Sequence, residues 1–77
     1  MYKSVKKVYP LEDYKVRIIF SGREEKIIDL KPFLKRGKYK ELLDKKLFAT
    51  VHVAFDTIEW DNKLDLDPEF LYNCSSN

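Results

Sequence analysis

The sequence predicts a small α+β fold in which a mostly antiparallel sheet of four to five strands has short helices packed on one face. Two features of the 77-residue chain lead to this fold class. Apolar residues alternate with polar ones over residues 14–20 and 47–55, whereas the apolar spacing is helical between residues 30 and 46. Asp67-Pro68 is a helix start signal near the end of the chain. The length suffices for a single domain, which we expect to cover residues 1–77.

Three strands are predicted in the first part of the chain. Residues 4–9 form the first strand, and Pro10 ends it because proline cannot donate to a strand ladder. Residues 14–20 form the second strand. A turn at Ser21-Gly22 then leads back into the third strand over residues 24–30, so these two strands form a hairpin.

The middle of the chain predicts two short helical pieces. Gly37 separates them, because glycine readily ends one helix and opens the next. The apolar residues of the two pieces are Leu30, Phe33 and Leu34, and then Tyr39, Leu42 and Leu43.

Two further strands and a terminal helix complete the prediction. A strand over residues 47–55 is followed by a short one over residues 57–60. Asp67 caps the terminal helix, and Leu66 packs against Leu71 as a hydrophobic staple. Residues 75–77 fray. One face of the predicted strand over residues 47–55 carries Leu47, Ala49, Val51, Val53 and Phe55.

The predicted core collects the apolar faces of these elements. Val16 should pair with Ile28 across the hairpin, and pairing with Ile27 is the alternative register. Trp60 should be largely buried beneath Phe70 or Leu71 of the terminal helix. The predicted core residues are Tyr14, Val16, Ile18, Phe20, Ile28, Val51, Val53, Trp60, Phe70 and Leu71.

The composition favours a cytoplasmic protein. The single cysteine, Cys74, excludes an internal disulfide framework and indicates a reducing compartment. The N-terminal residues do not resemble a signal peptide, and the apolar runs are far shorter than the roughly 20 residues that span a membrane. We therefore expect no membrane partner.

The charges are distributed unevenly. Residues 1–50 carry 14 basic and 7 acidic side chains, whereas residues 51–77 carry 1 basic and 6 acidic ones. Such polarity can orient a charged partner or a second copy of the chain. The alternative is that a small domain has little interior, so that its charges simply face solvent.

Three short motifs in the chain resemble a known family. The motifs comprise Val8 and Pro10; Ile27, Asp29, Leu30 and Pro32; and Ile58, Trp60, Asn62, Asp65, Pro68, Leu71 and Tyr72. They resemble the small bacterial proteins of domain-of-unknown-function family 2442, although that family usually has Pro and Gly where this chain has Asp61 and Lys63. Some longer relatives of that family carry a helix-turn-helix domain after this module, and some relatives are encoded beside small toxin-like proteins. The resemblance implies a regulatory or partner-binding role, including membership of a toxin–antitoxin-like pair.

The sequence offers weak candidates for catalysis or metal binding. His52 is the only histidine, and the neighbouring Thr50 is an unactivated nucleophile. Cys74 is interpreted as a packing residue rather than a reactive thiol. We expect no enzymatic activity, no metal and no cofactor. Turn and capping roles, rather than a calcium loop with its glycine, explain the acidic run Asp61, Asp65, Asp67 and Glu69.

A basic segment with interleaved aromatic residues is the strongest functional candidate. Lysines neutralise phosphates and aromatic rings can stack on bases, so residues 31–46 could contact nucleic acid or another anionic partner. The alternative is a solvated basic face above a buried Phe33 and Tyr39. The basic residues are Lys31, Lys35, Arg36, Lys38, Lys40, Lys45 and Lys46.

The leading hypothesis is a non-enzymatic interaction or regulatory module that binds a protein partner or a second copy of itself. Direct nucleic-acid binding through residues 31–46 is the alternative, and small-molecule sensing near Trp60 and Tyr72 is a third hypothesis. For self-association, the predicted strand over residues 57–60 should offer an open sheet edge. This edge is poorly protected against pairing with a second copy, because Glu59 is its only charge.

Overall fold

A computed structural model describes residues 4–74, in which two three-stranded antiparallel sheets share one hydrophobic core. The α+β class agrees with the sequence. The finer prediction of four to five strands in one sheet does not, because the strands divide between two sheets. The first sheet contains β1 (Val5–Pro10), β2 (Lys15–Phe20) and β3 (Glu25–Asp29), and the second contains β4 (His52–Ala54), β5 (Thr57–Glu59) and β6 (Asp65–Leu66).

The first sheet follows the sequence closely. Val16 pairs with Ile28, so the favoured register is confirmed. β2 buries Val16, Ile18 and Phe20 on one face because its side chains alternate between core and solvent. The turn between β2 and β3 is a 3₁₀ turn over Ser21–Arg23, in which Gly22 takes a φ of +83°.

The middle segment is helical but mostly 3₁₀. One 3₁₀ helix covers Lys31–Phe33, a second covers Gly37–Leu43, and α1 is a single α-turn over Lys45–Phe48. Gly37 has a φ of +52°, a left-handed conformation that glycine adopts without steric cost. It opens the second 3₁₀ helix, as the sequence predicts.

The long predicted strand over residues 47–55 is wrong. Asp44 starts a helix instead, because its carboxylate accepts a 3.0 Å hydrogen bond from the backbone nitrogen of Lys46. The hydroxyl of Thr50 closes that turn with a 2.6 Å bond to the carbonyl of Leu47. Only the three residues of β4 remain in strand conformation.

A two-residue turn joins β4 to β5. Ala54 pairs with Thr57, so Phe55 and Asp56 alone make the connection. Both have positive φ values, 52° and 67°, as a hairpin turn with the correct twist requires. We call Phe55-Asp56 the hairpin tip.

The predicted open edge over residues 57–60 is also wrong. β5 is the central strand of the second sheet, with β4 on one side and β6 on the other. Its backbone groups are therefore paired on both sides.

The terminal helix, α2 (Pro68–Cys74), begins as predicted. The carboxylate of Asp67 accepts a 2.8 Å hydrogen bond from the backbone nitrogen of Glu69, which satisfies one of the free donors of the first turn. Further along α2, the ring of Tyr72 packs edge-to-face on Phe20 of β2, with 5.3 Å between ring centroids, so α2 covers the first sheet. The predicted fraying of residues 75–77 lies outside the described residues.

The core contains most of the predicted residues but departs at three positions. Val53 and Phe70 are each 38% exposed and lie outside the core, while Tyr14 is half-buried and packs against it. Val53 was predicted to be buried because the strand prediction extended a two-residue alternation through residues that form a helix. The fully buried side chains that remain are Val16, Ile18, Phe20, Ile28, Trp60 and Leu71, with Val51 nearly so.

Candidate functional site

An apolar groove lies between the 3₁₀ helices and α2, and we call it the groove. Its volume is about 470 Å³. The floor is buried and aliphatic, formed by Leu30, Leu34 and Leu42. The remaining lining residues are Pro32, Phe33, Arg36, Tyr39, Leu66 and Phe70. These three side chains are only 0–1% exposed, so an apolar side chain from a ligand or partner would contact mainly the exposed lining residues above them, such as Phe33 and Phe70.

Two aromatic rings form a wall of the groove. Phe33 and Phe70 pack edge-to-face, with 5.2 Å between ring centroids, yet they remain 36% and 38% exposed. Pro32 fixes the first turn that carries Phe33, and Asp67 caps the helix that carries Phe70. The pair is thus held in place by local structure on both sides and still presents ring surface to solvent.

Two side-chain hydrogen bonds tie the second 3₁₀ helix to the loop and strand that follow β5. The hydroxyl of Tyr39 donates to the carbonyl of Asp65 at 2.9 Å, and the amide of Asn62 donates to the carboxylate of Glu41 at 3.0 Å. These bonds join segments that are more than 20 residues apart in the sequence. They fix the width of the groove between Tyr39 and β6.

The basic residues of the segment are distributed around this site rather than gathered in one patch. Arg36 borders the groove, whereas Lys45 borders a second depression of about 710 Å³ that also contains Asp13 and Tyr14. The two depressions share no lining residue. Within residues 31–46, the basic side chains that are exposed and form no ion pair with any other residue between 4 and 74 are Lys35, Arg36, Lys38, Lys40, Lys45 and Lys46.

Lys31 differs from the other basic residues of segment 31–46 because it forms an ion pair with another described residue. Its ammonium lies 2.5 Å from the carboxylate of Asp13. The hydrogen bond between them lowers the pKa of Asp13 and raises the pKa of Lys31. Lys31 therefore ties the first 3₁₀ helix to the turn before β2 and is not a free cation.

His52 belongs to a small surface network on the second sheet. Its Nδ1 lies 2.8 Å from the carbonyl of Thr50, and its Nε2 lies 3.2 Å from the carboxylate of Glu59, the residue opposite it on β5. The hydrogen bond to Thr50, followed by that to Glu59, raises the pKa of His52. The Thr50 hydroxyl is engaged with Leu47, so it does not face the imidazole as a nucleophile would.

The acidic run supplies turns and a cap. Asp67 caps α2, and Asp61 lies 3.9 Å from the imidazole of His52. Within residues 4–74, no three His, Cys, Asp or Glu side chains converge as ligands of a metal ion would.

The hairpin tip was not identified from the sequence as a functional feature. Phe55 is 92% exposed, more than any other large apolar side chain in the described part of the chain. The signal available was Phe-Asp at a position where a tight turn was expected, since such turns usually carry Asn-Gly.

No helix within residues 4–74 has the length and apolar character needed to cross a membrane. No curated protein shows significant similarity to the chain. Among solved structures, a crystal structure named Putative DNA Binding Protein NE0471, from Nitrosomonas europaea, has the same fold, with a TM-score of 0.85 at 24% identity. The similarity covers 97% of this chain and 50% of that one, so this chain spans half the length of its structural neighbour. Residues 5–75 match the family described as "Protein of unknown function (DUF2442)", and the chain belongs to that family.

Proposed function

We propose that this chain is a non-enzymatic interaction module that binds a segment of a protein in the groove. The observation that carries the proposal is the half-exposed Phe33–Phe70 pair above a fully buried aliphatic floor. Exposed aromatic rings at the edge of a concave apolar site are typical of the centres of protein interfaces.

The groove is suited to a single anchoring side chain. Its volume of about 470 Å³ falls within the range of roughly 300–1,000 Å³ for small binding sites. The bond from Tyr39 to Asp65 and the cap by Asp67 hold its walls before any ligand arrives. Because the site is already ordered, binding loses little conformational entropy.

Arg36, at the rim of the groove, favours a partner that carries a negative charge. Arg36 is exposed, borders the groove and forms no ion pair within residues 4–74. A partner segment with an apolar anchor and an adjacent carboxylate can contact both the exposed Phe33–Phe70 pair and this guanidinium. The charge then determines orientation, while the buried apolar area supplies most of the affinity.

A random peptide library selected on the immobilised chain tests this proposal. We expect enrichment of sequences that combine an aromatic or large aliphatic residue with Asp or Glu. Their affinity should fall at least tenfold for Phe70→Ser and remain unchanged for Ile27→Ser, a matched change at a 49% exposed residue on β3. Enriched peptides that bind the Phe70→Ser protein as tightly as the parent would refute the groove as the site.

Nucleic-acid binding is a second candidate, favoured by the six basic side chains of residues 31–46 that are exposed and form no ion pair among the described residues. The structural neighbour carries DNA binding in its name, but the similarity covers half of that protein. Cations that are not already paired are available to replace the counterions of a phosphate backbone.

Fluorescence anisotropy with labelled single- and double-stranded oligonucleotides distinguishes this candidate. If it is correct, affinity falls steeply between about 50 and 200 mM salt, as counterion release requires. Converting Lys38 and Lys40 to Glu should weaken binding strongly. The same change in net charge at Lys6 and Lys7, on β1, should have a smaller effect. Equal losses from the two pairs would indicate attraction to the net charge alone and would remove residues 31–46 as the contact.

A further inference from the structure

We propose that the hairpin tip of a second copy of this chain occupies the groove, so that two copies associate reciprocally. The inference rests on the proposed function, since it names the segment that the groove takes. In this dimer, Phe55 of each copy packs against the exposed rings of Phe33 and Phe70 in the other's groove, and Asp56 faces the other's Arg36.

Phe55 has the properties of an anchor rather than of a turn residue. It is 92% exposed and has a φ of 52°, a left-handed conformation that L side chains seldom adopt. A two-residue hairpin turn favours Asn or Gly at such positions, both of which avoid the strain and the exposed ring. Strained backbone that displays a large apolar side chain is a feature of binding sites.

The tip is held firmly enough to act as a rigid insert. The backbone nitrogen of Val5 donates a 2.8 Å hydrogen bond to the carbonyl of Asp56, which links the tip to β1 of the first sheet. Ala54 and Thr57 pair directly behind it. The ring of Phe55 therefore projects from an ordered hairpin, and its insertion requires no new folding of the chain.

The charges on the two surfaces are complementary. Asp56 is exposed and forms no ion pair with any residue between 4 and 74, and the same holds for Arg36 at the groove. The exposed Asp65 accompanies the tip, and the exposed Lys35 and Lys38 flank Arg36. A second copy thus offers both an aromatic anchor and the carboxylate that the rim of the groove selects.

The positions of the two features allow a closed pair. Leu66 borders the groove and also borders a shallow depression that contains Phe55, so the tip and the groove adjoin on the surface. A two-fold axis close to Leu66 places each tip on the other's groove in one symmetric contact. An isologous contact of this kind closes after two copies and does not propagate into a fibre.

Analytical ultracentrifugation of the full chain tests the dimer directly. The contact is small, so we expect the average mass to rise from 9.2 kDa towards twice that value as concentration increases from about 5 to 500 µM. Phe55→Asn should weaken association at least tenfold, because it removes the anchor while asparagine tolerates the left-handed backbone. Ile27→Asn, at another exposed apolar residue, should leave association unchanged.

A charge exchange provides a second and independent criterion. Arg36→Asp should weaken the dimer, and combining it with Asp56→Arg should restore it, because the ion pair is then reversed in both halves of the contact. Failure of the double variant to recover while it remains folded would overturn the proposed pairing of Arg36 with Asp56.

The outcomes separate this inference from the proposed function. A parent chain that stays monomeric up to about 500 µM in low salt overturns the dimer. If peptides still bind the groove of that monomer, the groove serves a foreign protein and the proposed function stands. If Phe55→Asn dimerises like the parent, the hairpin tip is not the contact, whatever binds in the groove.

Discussion

The indole nitrogen of Trp60 donates a 3.0 Å hydrogen bond to the carbonyl of Phe48, and the indole is fully buried. The two rings also pack, with 6.1 Å between their centroids. Phe48 ends α1, whereas Trp60 follows β5, so this bond joins the helical middle of the chain to the second sheet. Trp60 therefore contributes both apolar burial and a satisfied polar atom to the centre of the core.

Replacing Trp60 by Ala should cost about 3–5 kcal/mol, because it leaves a large cavity and removes the indole hydrogen bond to the carbonyl of Phe48. A small domain has total stability of similar size, so the variant should be largely unfolded. Urea denaturation followed by circular dichroism measures the loss. Phe55→Ala is the control, and its stability should stay close to that of the parent because the ring is exposed. A Trp60→Ala protein that melts within a few degrees of the parent would contradict this account of the core.

Removing the cap of α2 should destabilise the chain moderately. Asp67→Ala deletes the acceptor for the backbone nitrogen of Glu69 and should cost about 0.5–2 kcal/mol. Asp65→Ala removes a nearby exposed carboxylate without touching the cap and serves as the matched control. Equal losses in thermal denaturation would show that local charge, rather than the cap, determines the effect.

The first sheet could be predicted from sequence because its determinants are local. Val16, Ile18 and Phe20 alternate without interruption, and Ser21-Gly22 supplies a turn between adjacent strands. The second sheet could not, since alternation at Leu47 and Ala49 continues through a helix that Asp44 caps. A capping residue such as Asp44 is also a local signal, but the two-residue alternation after it favoured a strand in the prediction.

The groove could be predicted only in part from the sequence. The sequence places Phe33 and Tyr39 on the apolar stripe of the middle segment, but Phe33 is 36% exposed rather than buried, and nothing local indicates that it meets Phe70. The groove depends on contacts between residues that are distant in sequence, such as Tyr39 with Asp65. Phe70 was assigned to the core because helical spacing cannot distinguish a fully buried position from one at the edge of a groove.

The His52 network should make stability depend on pH. The pKa of His52 is raised in the folded state above its ordinary value of 6.5, so the network stabilises the protein fully at pH values below 6.5. That contribution disappears as the pH rises through the higher folded pKa. His52→Gln should therefore lower the melting temperature more at about pH 5.5 than at about pH 8.5. Glu59→Gln retains the bond to Thr50 and should keep part of the pH dependence. A difference between parent and His52→Gln that is constant across this range would exclude the network as its source.

Tyr39→Phe should loosen the groove while leaving the core intact. The hydroxyl of Tyr39 is the donor that ties the second 3₁₀ helix to the carbonyl of Asp65, and its loss should cost about 0.5–1.5 kcal/mol. Leu42 stays buried in the same helix, so the chain should still fold. Peptides selected on the groove should bind the variant several-fold more weakly, because they must order a wall that the hydroxyl previously held.

Tyr14→Phe provides the matched control for this change. Its hydroxyl also bonds to a backbone carbonyl, that of Leu43 at 2.5 Å, but Tyr14 borders the second depression and not the groove. The two variants should therefore lose similar stability in urea denaturation, while only Tyr39→Phe weakens the groove peptides. Titration calorimetry with the same peptide on both proteins decides the matter. If both variants weaken binding in proportion to their lost stability, then general softening of the fold, and not the bond from Tyr39 to Asp65, controls the site.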